Sequence, residues 1–483
     1  QKLYKIWNEQ NFTSPLKTND EQKIEIISRG NLDLDTGGPD FKNAKIRIGN
    51  LTFVGDVEID SNYHDWISHK HNLNSKFNRV ILHVTLFNNS NQNYVFSKDG
   101  RKIPTLSLNN YIDDTLLTEL KKKNNIQRNK PENRLNCSGL NKNVDIQIKE
   151  KFISDLSIKR FNKKCAKIYS RLKELSYIRQ NNIQEPKITY ELSEAFYDKK
   201  FSLEDFKLKE IWQQTLYEFI FQALGYSNNK EIMLKLAQAF NIDYIKKIIK
   251  LENPIIKLES AFLNISGLCR NLHEKDEEAK IYFKELERNY SEIKNIYDGE
   301  FFNESEWSFF KQRPANFPTM RIAGGVRFIY DLLNKNLIST LIKKATEINK
   351  PIILLNSIKL YFIIPTSGYW KTHYHFGQKQ NEPIRYFIGA SRADEIIINV
   401  VLPFLSIYFD LFNLSEVSKK ILKCYNIHEQ NSDNRISRLV SDELGLRDHC
   451  KKTLYHQGML ELYHNYCIKN NCSNCEIGKL VFK

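Results

Sequence analysis

Residues 38–60, GPDFKNAKIRIGNLTFVGDVEID, decide how the N-terminal part of the chain folds. Ala44–Gly49 alternates apolar and polar residues, with Ile46 and Ile48 facing one way. That period of two is the mark of a half-buried strand. Phe53–Asp60 reads as a second strand, with Val57 and Ile59 inward. Upstream, Lys23–Ser28 (KIEIIS) is a β-prone run ended by Gly30, and residues 31–39 form a turn-rich loop. Downstream, Arg79–Phe87 (RVILHVTLF) is nearly continuous apolar sequence, as a central strand requires. Asp65–Phe77, between those strands, reads as helix or loop.

The same stretch carries the first candidate site. Residues two apart on a strand share a face, so Asp56, Glu58 and Asp60 project together, opposite Val57 and Ile59. Carboxylates so close repel unless one reaches solvent or a cation neutralises them. Asp40, entering a strand after a Gly-Pro turn, completes a donor set suited to Mg²⁺ or Mn²⁺. The order strand, turn-Asp, strand, Glu-x-polar, helix, strand is similar to the core of PD-(D/E)xK nucleases. In that core Asp and Glu bind the metal, and a Lys two residues after Glu helps to activate water. Here Asp60 occupies the Lys position, with Lys45 and Lys70 as nearby cations that could substitute. His64, His69, His71 and His83 lie close in sequence to the acidic strand, and His69 and His71 join the candidate catalytic set. The plain alternative is a sheet with a solvated acidic face and a core histidine.

The whole chain has 483 residues, so about two to four structural units are expected. Hydrophobic residues make up 41%, enough for real cores. No apolar run reaches the roughly 18 residues of a membrane span. The greasiest stretch, Glu395–Phe409, contains Pro403 and reads as a buried helix. Gln1–Trp7 shows no apolar signal region, so a cytoplasmic protein is expected. From about residue 150 the hydrophobic period becomes helical. In Ser202–Leu224, Ser202 and Asp205 have capping-box spacing, an apolar stripe runs from Phe206 to Leu224, and Gly225 closes the helix. The fold expected is α+β: an α/β head over 1–120, a polar basic linker over 121–150, and a long all-helical body over 151–483.

Lys and Arg number 72 against 57 Asp and Glu, a net charge of +15, which draws a protein towards phosphate backbones. The chain is rich in Lys, Asn and Ile throughout, so the charge also has a purely compositional explanation. Trp307–Arg321 interleaves Lys311, Arg313, Asn316 and Arg321 with aromatics in a proline-broken loop. Tyr369–Tyr374, with Trp370 and His373, is a second polar-aromatic patch. Such mixtures stack on bases and bind phosphates, and they equally pin helices together. At the C-terminal end, Cys467-x4-Cys472-x2-Cys475 has the bunching of a Zn²⁺ or Fe–S ligand set. Three ligands need a fourth, for which Cys450, His464 and Cys137 are the candidates.

These segments together resemble a bacterial family known as domain of unknown function 2851. The resemblance rests on Gly38–Phe41, Gly55–Ile59, Asp65–His71, Leu82–Val84, Cys137, Arg313–Arg321, Tyr369–Tyr374 and Cys467–Gly478. The sequence departs from the family pattern at Asp60, where relatives have His, and at Asn74, where relatives have Asp. The resemblance implies no activity. It does imply that Cys137 is the fourth cysteine, joining Cys467, Cys472 and Cys475 in a long-range bridge that ties the chain's end to the head, as in the iron–sulfur staple of certain nucleases. The function expected is a metal-dependent, nuclease-like nucleic-acid-processing protein. The alternatives are a non-catalytic nucleic-acid or ribonucleoprotein-binding factor, and an interaction protein with compositional charge only.

Overall fold

The alternation in residues 44–48 becomes part of β3 (Phe41–Ile48), in which Ala44, Ile46 and Ile48 are buried and Lys45 and Arg47 exposed. The computed structural model describes residues 2–32, 38–69, 71–88, 92–113, 134–181, 194–269, 276–309, 312–377, 379–429, 434–447 and 451–482. It divides into two units, Gln1–Asn133 and Arg134–Lys483.

The first unit is a seven-stranded mixed sheet. Its other strands are β1 (Ile24–Ser28), β2 (Asn31–Leu32), β4 (Leu51–Asn62), β5 (Val80–Phe87), β6 (Tyr94–Phe96) and β7 (Lys102–Ser107). β1, β3 and β4 pair antiparallel. β4–β5 and β5–β7 pair parallel, and β6 returns antiparallel on β7. The parallel β4–β5 step needs a crossover, supplied by a short helix Asp65–Ser68 and two 3₁₀ turns, His71–Leu73 and Ser75–Phe77. The sheet is buried on both faces at β4 and β5. On one face Val57, Ile59, Leu82 and Val84 pack with Trp7 of the Lys2–Glu9 helix. On the other, Tyr63, Trp66 and Phe77 of the crossover cover the sheet with Val80, Val95 and Ile103. The Trp66 indole N–H donates to the Phe96 carbonyl at 2.9 Å, fastening the crossover to β6. Gly55 sits where β4 meets the start of β5. A Cβ there would lie 2.4 Å from both the Arg79 carbonyl oxygen and the Ile81 side chain, so only glycine fits.

The second unit is helical, with one correction to the expected all-helical body: β8 (Ile364–Pro365) and β9 (Tyr386–Ile388) form a small antiparallel sheet. Its longest helix, Ile146–Gln180, starts at an Asp145 cap inside the stretch expected as linker. The Ser202/Asp205 capping box is present, but it caps a 3₁₀ turn, Leu203–Phe206. The long helix begins only at Lys209 and ends at Leu224. The greasy stretch is a buried helix, as expected. It passes through a π-helical segment, Ile397–Val401, just before Pro403, whose missing N–H disturbs the regular ladder.

Candidate metal centre

β3 and β4 place the carboxylates. A bulge at Asn43, with φ of 57°, turns its backbone N–H to Asp56 Oδ1 at 3.1 Å. Asp56 is therefore spent on the bulge, which removes it from the acidic row. Asp40 and Glu58 interlock across the strand pair. The Asp40 backbone N–H donates to Glu58 Oε2, and the Ile59 N–H donates to Asp40 Oδ2, each at 3.0 Å. Tyr4, on the Lys2–Glu9 helix, also hydrogen-bonds to Asp40.

The crossover and β5 bring the histidines. The parallel register sets His83 opposite Glu58. His83 Nε2 lies 3.1 Å from Asp60 Oδ2, and His69 Nδ1 lies 3.1 Å from Asp60 Oδ1. His71 Nε2 lies 3.2 Å from Glu58 Oε1 and 3.9 Å from Asp60 Oδ2. That nitrogen is buried and makes no hydrogen bond. Trp66 and Phe77 pack on the His71 ring, with centroids 5.3 and 4.0 Å away. His69 is the exposed member, with over half of its side chain open. The ligand atoms of Asp60, His69 and His71 all lie within 4.8 Å of one another.

Burial dominates the electrostatics of the cluster. Burial, then the charges of Asp40 and Asp60, pushes the Glu58 carboxyl up to about 9, so it holds a proton at neutral pH. Burial also raises Asp40 and lowers His71. Tyr4 is raised by burial and by Asp40. Carboxylates, imidazoles and the buried His71 Nε2 are groups that could hold a divalent transition metal.

The structure thus brings Asp40, Glu58, Asp60, His69 and His71 together and adds His83 and Tyr4. Sequence reading placed His83 in the histidine group and gave it no role. Tyr4 carried no signal at all, because its approach to Asp40 depends on how the N-terminal helix packs. His64 is exposed and lies outside the cluster. Lys45 pairs opposite Val54, four residues from Glu58 along β4, too far to replace the missing Lys. Lys70 lies outside the described residues.

Among the residues expected to bind phosphate, Arg321, Trp370 and His373 are corrections, because they are buried. Arg321 is 5% exposed, and its guanidinium donates to the Phe387 carbonyl, the Tyr226 hydroxyl and Asn316 Oδ1. Asn316 is thereby spent on Arg321. Trp370 is buried and donates to the Glu259 carboxylate. His373 is fully buried, 3.0 Å from Asp276 and stacked on Tyr369. These groups pin helices from within and cannot reach a phosphate. Arg313 is exposed, and Lys311 lies outside the described residues.

The cysteines also differ from expectation in one respect. Cys137 belongs to the second unit, so Cys137, Cys467, Cys472 and Cys475 gather the two ends of that unit and do not tie the chain's end to the head. Cys450 lies outside the described residues. His464 is not among the residues that line the cysteine cavity.

Fold and site define an α+β protein in which an acid–histidine cluster on a mixed sheet precedes a helical unit. A family model described as "Protein of unknown function (DUF2851)" matches residues 1–185 and 190–434, and the chain belongs to that family. No curated protein and no solved structure matches it. Cys137 lies within the matched residues, and the three C-terminal cysteines lie beyond them. Among the described residues, no helix is long and apolar enough to cross a membrane.

Proposed function

We propose that the first unit is a divalent-metal centre for hydrolysis of phosphodiesters, of nuclease type. The observation that carries this reading is the convergence of Asp60, His69 and His71 beside Glu58, with His71 Nε2 buried and unpaired. Two of the three donors are imidazoles, which favours Mn²⁺ over Mg²⁺ and admits Zn²⁺ or Fe²⁺. The phosphodiester class rests on order and charge. Helix, three antiparallel strands, crossover and parallel strand, with Asp40 entering one strand and Glu58 on the next, follow the plan of the PD-(D/E)xK core. The net charge of +15 suits a polyanionic substrate.

Within this scheme Asp60, His69 and His71 would hold the ion, which would supply positive charge at a phosphoryl oxygen and a water. His83 fixes the orientation of Asp60 from behind. Glu58 Oε1, 3.2 Å from His71 Nε2, stands beside the ligands of the ion. The Asp40–Glu58 interlock holds β3 and β4 in register at the site. The test is hydrolysis of single- and double-stranded DNA and RNA by the full chain with Mn²⁺, Mg²⁺ or Zn²⁺, against Asp60→Asn. Cleavage that needs a metal and is lost in the variant supports the proposal. Salt-dependent binding without cleavage under any of the metals refutes it in favour of a non-catalytic binding factor.

A further inference from the structure

The second unit holds a separate cluster that the acid–histidine site does not use. Cys137, Cys467, Cys472 and Cys475 line one cavity of about 20 Å³, walled by Leu135, Leu444, Leu462, Tyr466 and Ile477. The first of these cysteines is more than three hundred residues from the others, so their meeting is a tertiary arrangement. Asn141 holds the Cys137 turn in place. Its side-chain amide donates to the Cys137 carbonyl at 2.8 Å and the Glu443 carbonyl at 3.0 Å. Asn136 donates to Asn470 Oδ1 at 2.8 Å and reaches Cys472 Sγ at 3.9 Å. On the far side, a Cβ on Gly478 would lie 2.2 Å from the Cys472 carbonyl oxygen, so glycine lets the last helix close on the cysteine turn. The Ile477 and Gly478 N–H groups point at the Cys475 sulfur.

All four thiols are free, so the cavity is not a pair of disulfides. The spacing of the sulfurs then discriminates between guests. Tetrahedral zinc with Zn–S bonds of about 2.3 Å holds its sulfurs roughly 3.8 Å apart. Among the described residues, the set of three ligand atoms lying within 4.8 Å of one another is Asp60, His69 and His71, and no three of these sulfurs meet that limit. The sulfurs are set for a guest larger than one ion. Four cysteines in an apolar pocket, with backbone N–H groups on a sulfur, are the ligand set of an iron–sulfur cluster.

We propose that Cys137, Cys467, Cys472 and Cys475 ligate an iron–sulfur cluster that joins the first turn of the second unit to its last helix. The cluster is a staple there, and the proposal is independent of the chemistry of the first unit. Its test is elemental and sulfide analysis of full-length protein purified without oxygen, together with its visible absorption spectrum. The expected result is iron and acid-labile sulfide in equal amounts, about two or about four of each per chain, with a charge-transfer band that bleaches on reduction. Cys472→Ser should lose most of the iron. Cys165→Ser, altering a buried cysteine in the other core of the same unit, should keep it. Stoichiometric zinc without iron would overturn the proposal. So would wild-type protein that takes up no cluster from ferrous iron and sulfide under thiol reductant, or Cys472→Ser protein that retains full iron. The wild-type measurement decides the matter even where a cysteine variant fails to fold.

Discussion

Replacing His71 by Leu tests the metal centre through a change of sign. Wild-type protein without metal carries a buried imidazole nitrogen that makes no hydrogen bond, packed between Trp66 and Phe77. An unsatisfied buried polar atom costs about 1–3 kcal/mol. Leucine removes that atom and keeps apolar contact with the two aromatics, at the cost of imperfect packing of roughly 1 kcal/mol. The metal-free variant is therefore expected to be as stable as wild type, or about 1 kcal/mol more stable. With the ion present the order reverses. A ligand at 100 times its dissociation constant stabilises the native state by about 2.7 kcal/mol. For a unit of this size that raises the melting temperature by roughly 10 °C. His71→Leu removes one of three donors and should show almost none of that rise. The assay is thermal unfolding of both proteins in a chelator and in Mn²⁺, Zn²⁺ or Mg²⁺. An equal rise in wild type and variant would sink the assignment of His71, and no rise in wild type with any of the ions would sink the site.

Three further outcomes are expected. Arg321→Met should destabilise the second unit by about 3 kcal/mol or more in denaturant unfolding, because it leaves the buried Phe387 carbonyl and Asn316 without their donor; a cost below roughly 0.5 kcal/mol would mean a surface arginine. Gly55→Ala should destabilise the first unit by about 1–3 kcal/mol, since its Cβ would lie 2.4 Å from the Arg79 carbonyl oxygen on the neighbouring stretch of chain; unchanged stability would refute the close approach of β4 to β5. His456 gives a pH signature: burial, then Arg160 and Lys164, pushes it down to about 4 from 6.5, and neither ring nitrogen has a hydrogen bond. The unfolded chain binds the proton more readily, so the stability from a neutral His456 is present above pH 6.5 and is lost as pH falls towards 4, up to about 3 kcal/mol. His456→Phe should flatten that part of a pH–stability curve, and a curve parallel to wild type would show that His456 is not its source.

Much of the first unit was legible because strand periodicity is a local property. Ile46, Ile48, Val57 and Ile59 turn inward as their alternation requires, and Glu58 and Asp60 share the opposite face. The candidate site was legible only as a neighbourhood. Asp56 belonged to the same row in sequence, yet a bulge one strand away uses its carboxylate. Tyr4 and His83 enter through the packing of a helix and the register of a parallel strand, neither of which leaves a periodic trace. In the second unit, Ser202 and Asp205 announced a helix start, but a 3₁₀ turn intervenes before Lys209. A capping box satisfies whichever turn follows it, and it does not dictate how far the helix continues.

The sequence by itself determined the α+β order, the helical second part and the grouping of three C-terminal cysteines. Each follows from interactions between near neighbours along the chain. The tertiary structure alone decided which polar groups face one another and which are shut away from water. It buried Arg321, Trp370 and His373, which sequence offers as a phosphate-binding surface, and it left His71 unpaired beside Glu58. It also brought Cys137 to Cys467, Cys472 and Cys475 within the second unit. The physical reason is that a charged or polar side chain looks the same in sequence whether or not it is solvated. Its energy, and so its role, is set by what packs over it and which partner remains within hydrogen-bonding reach.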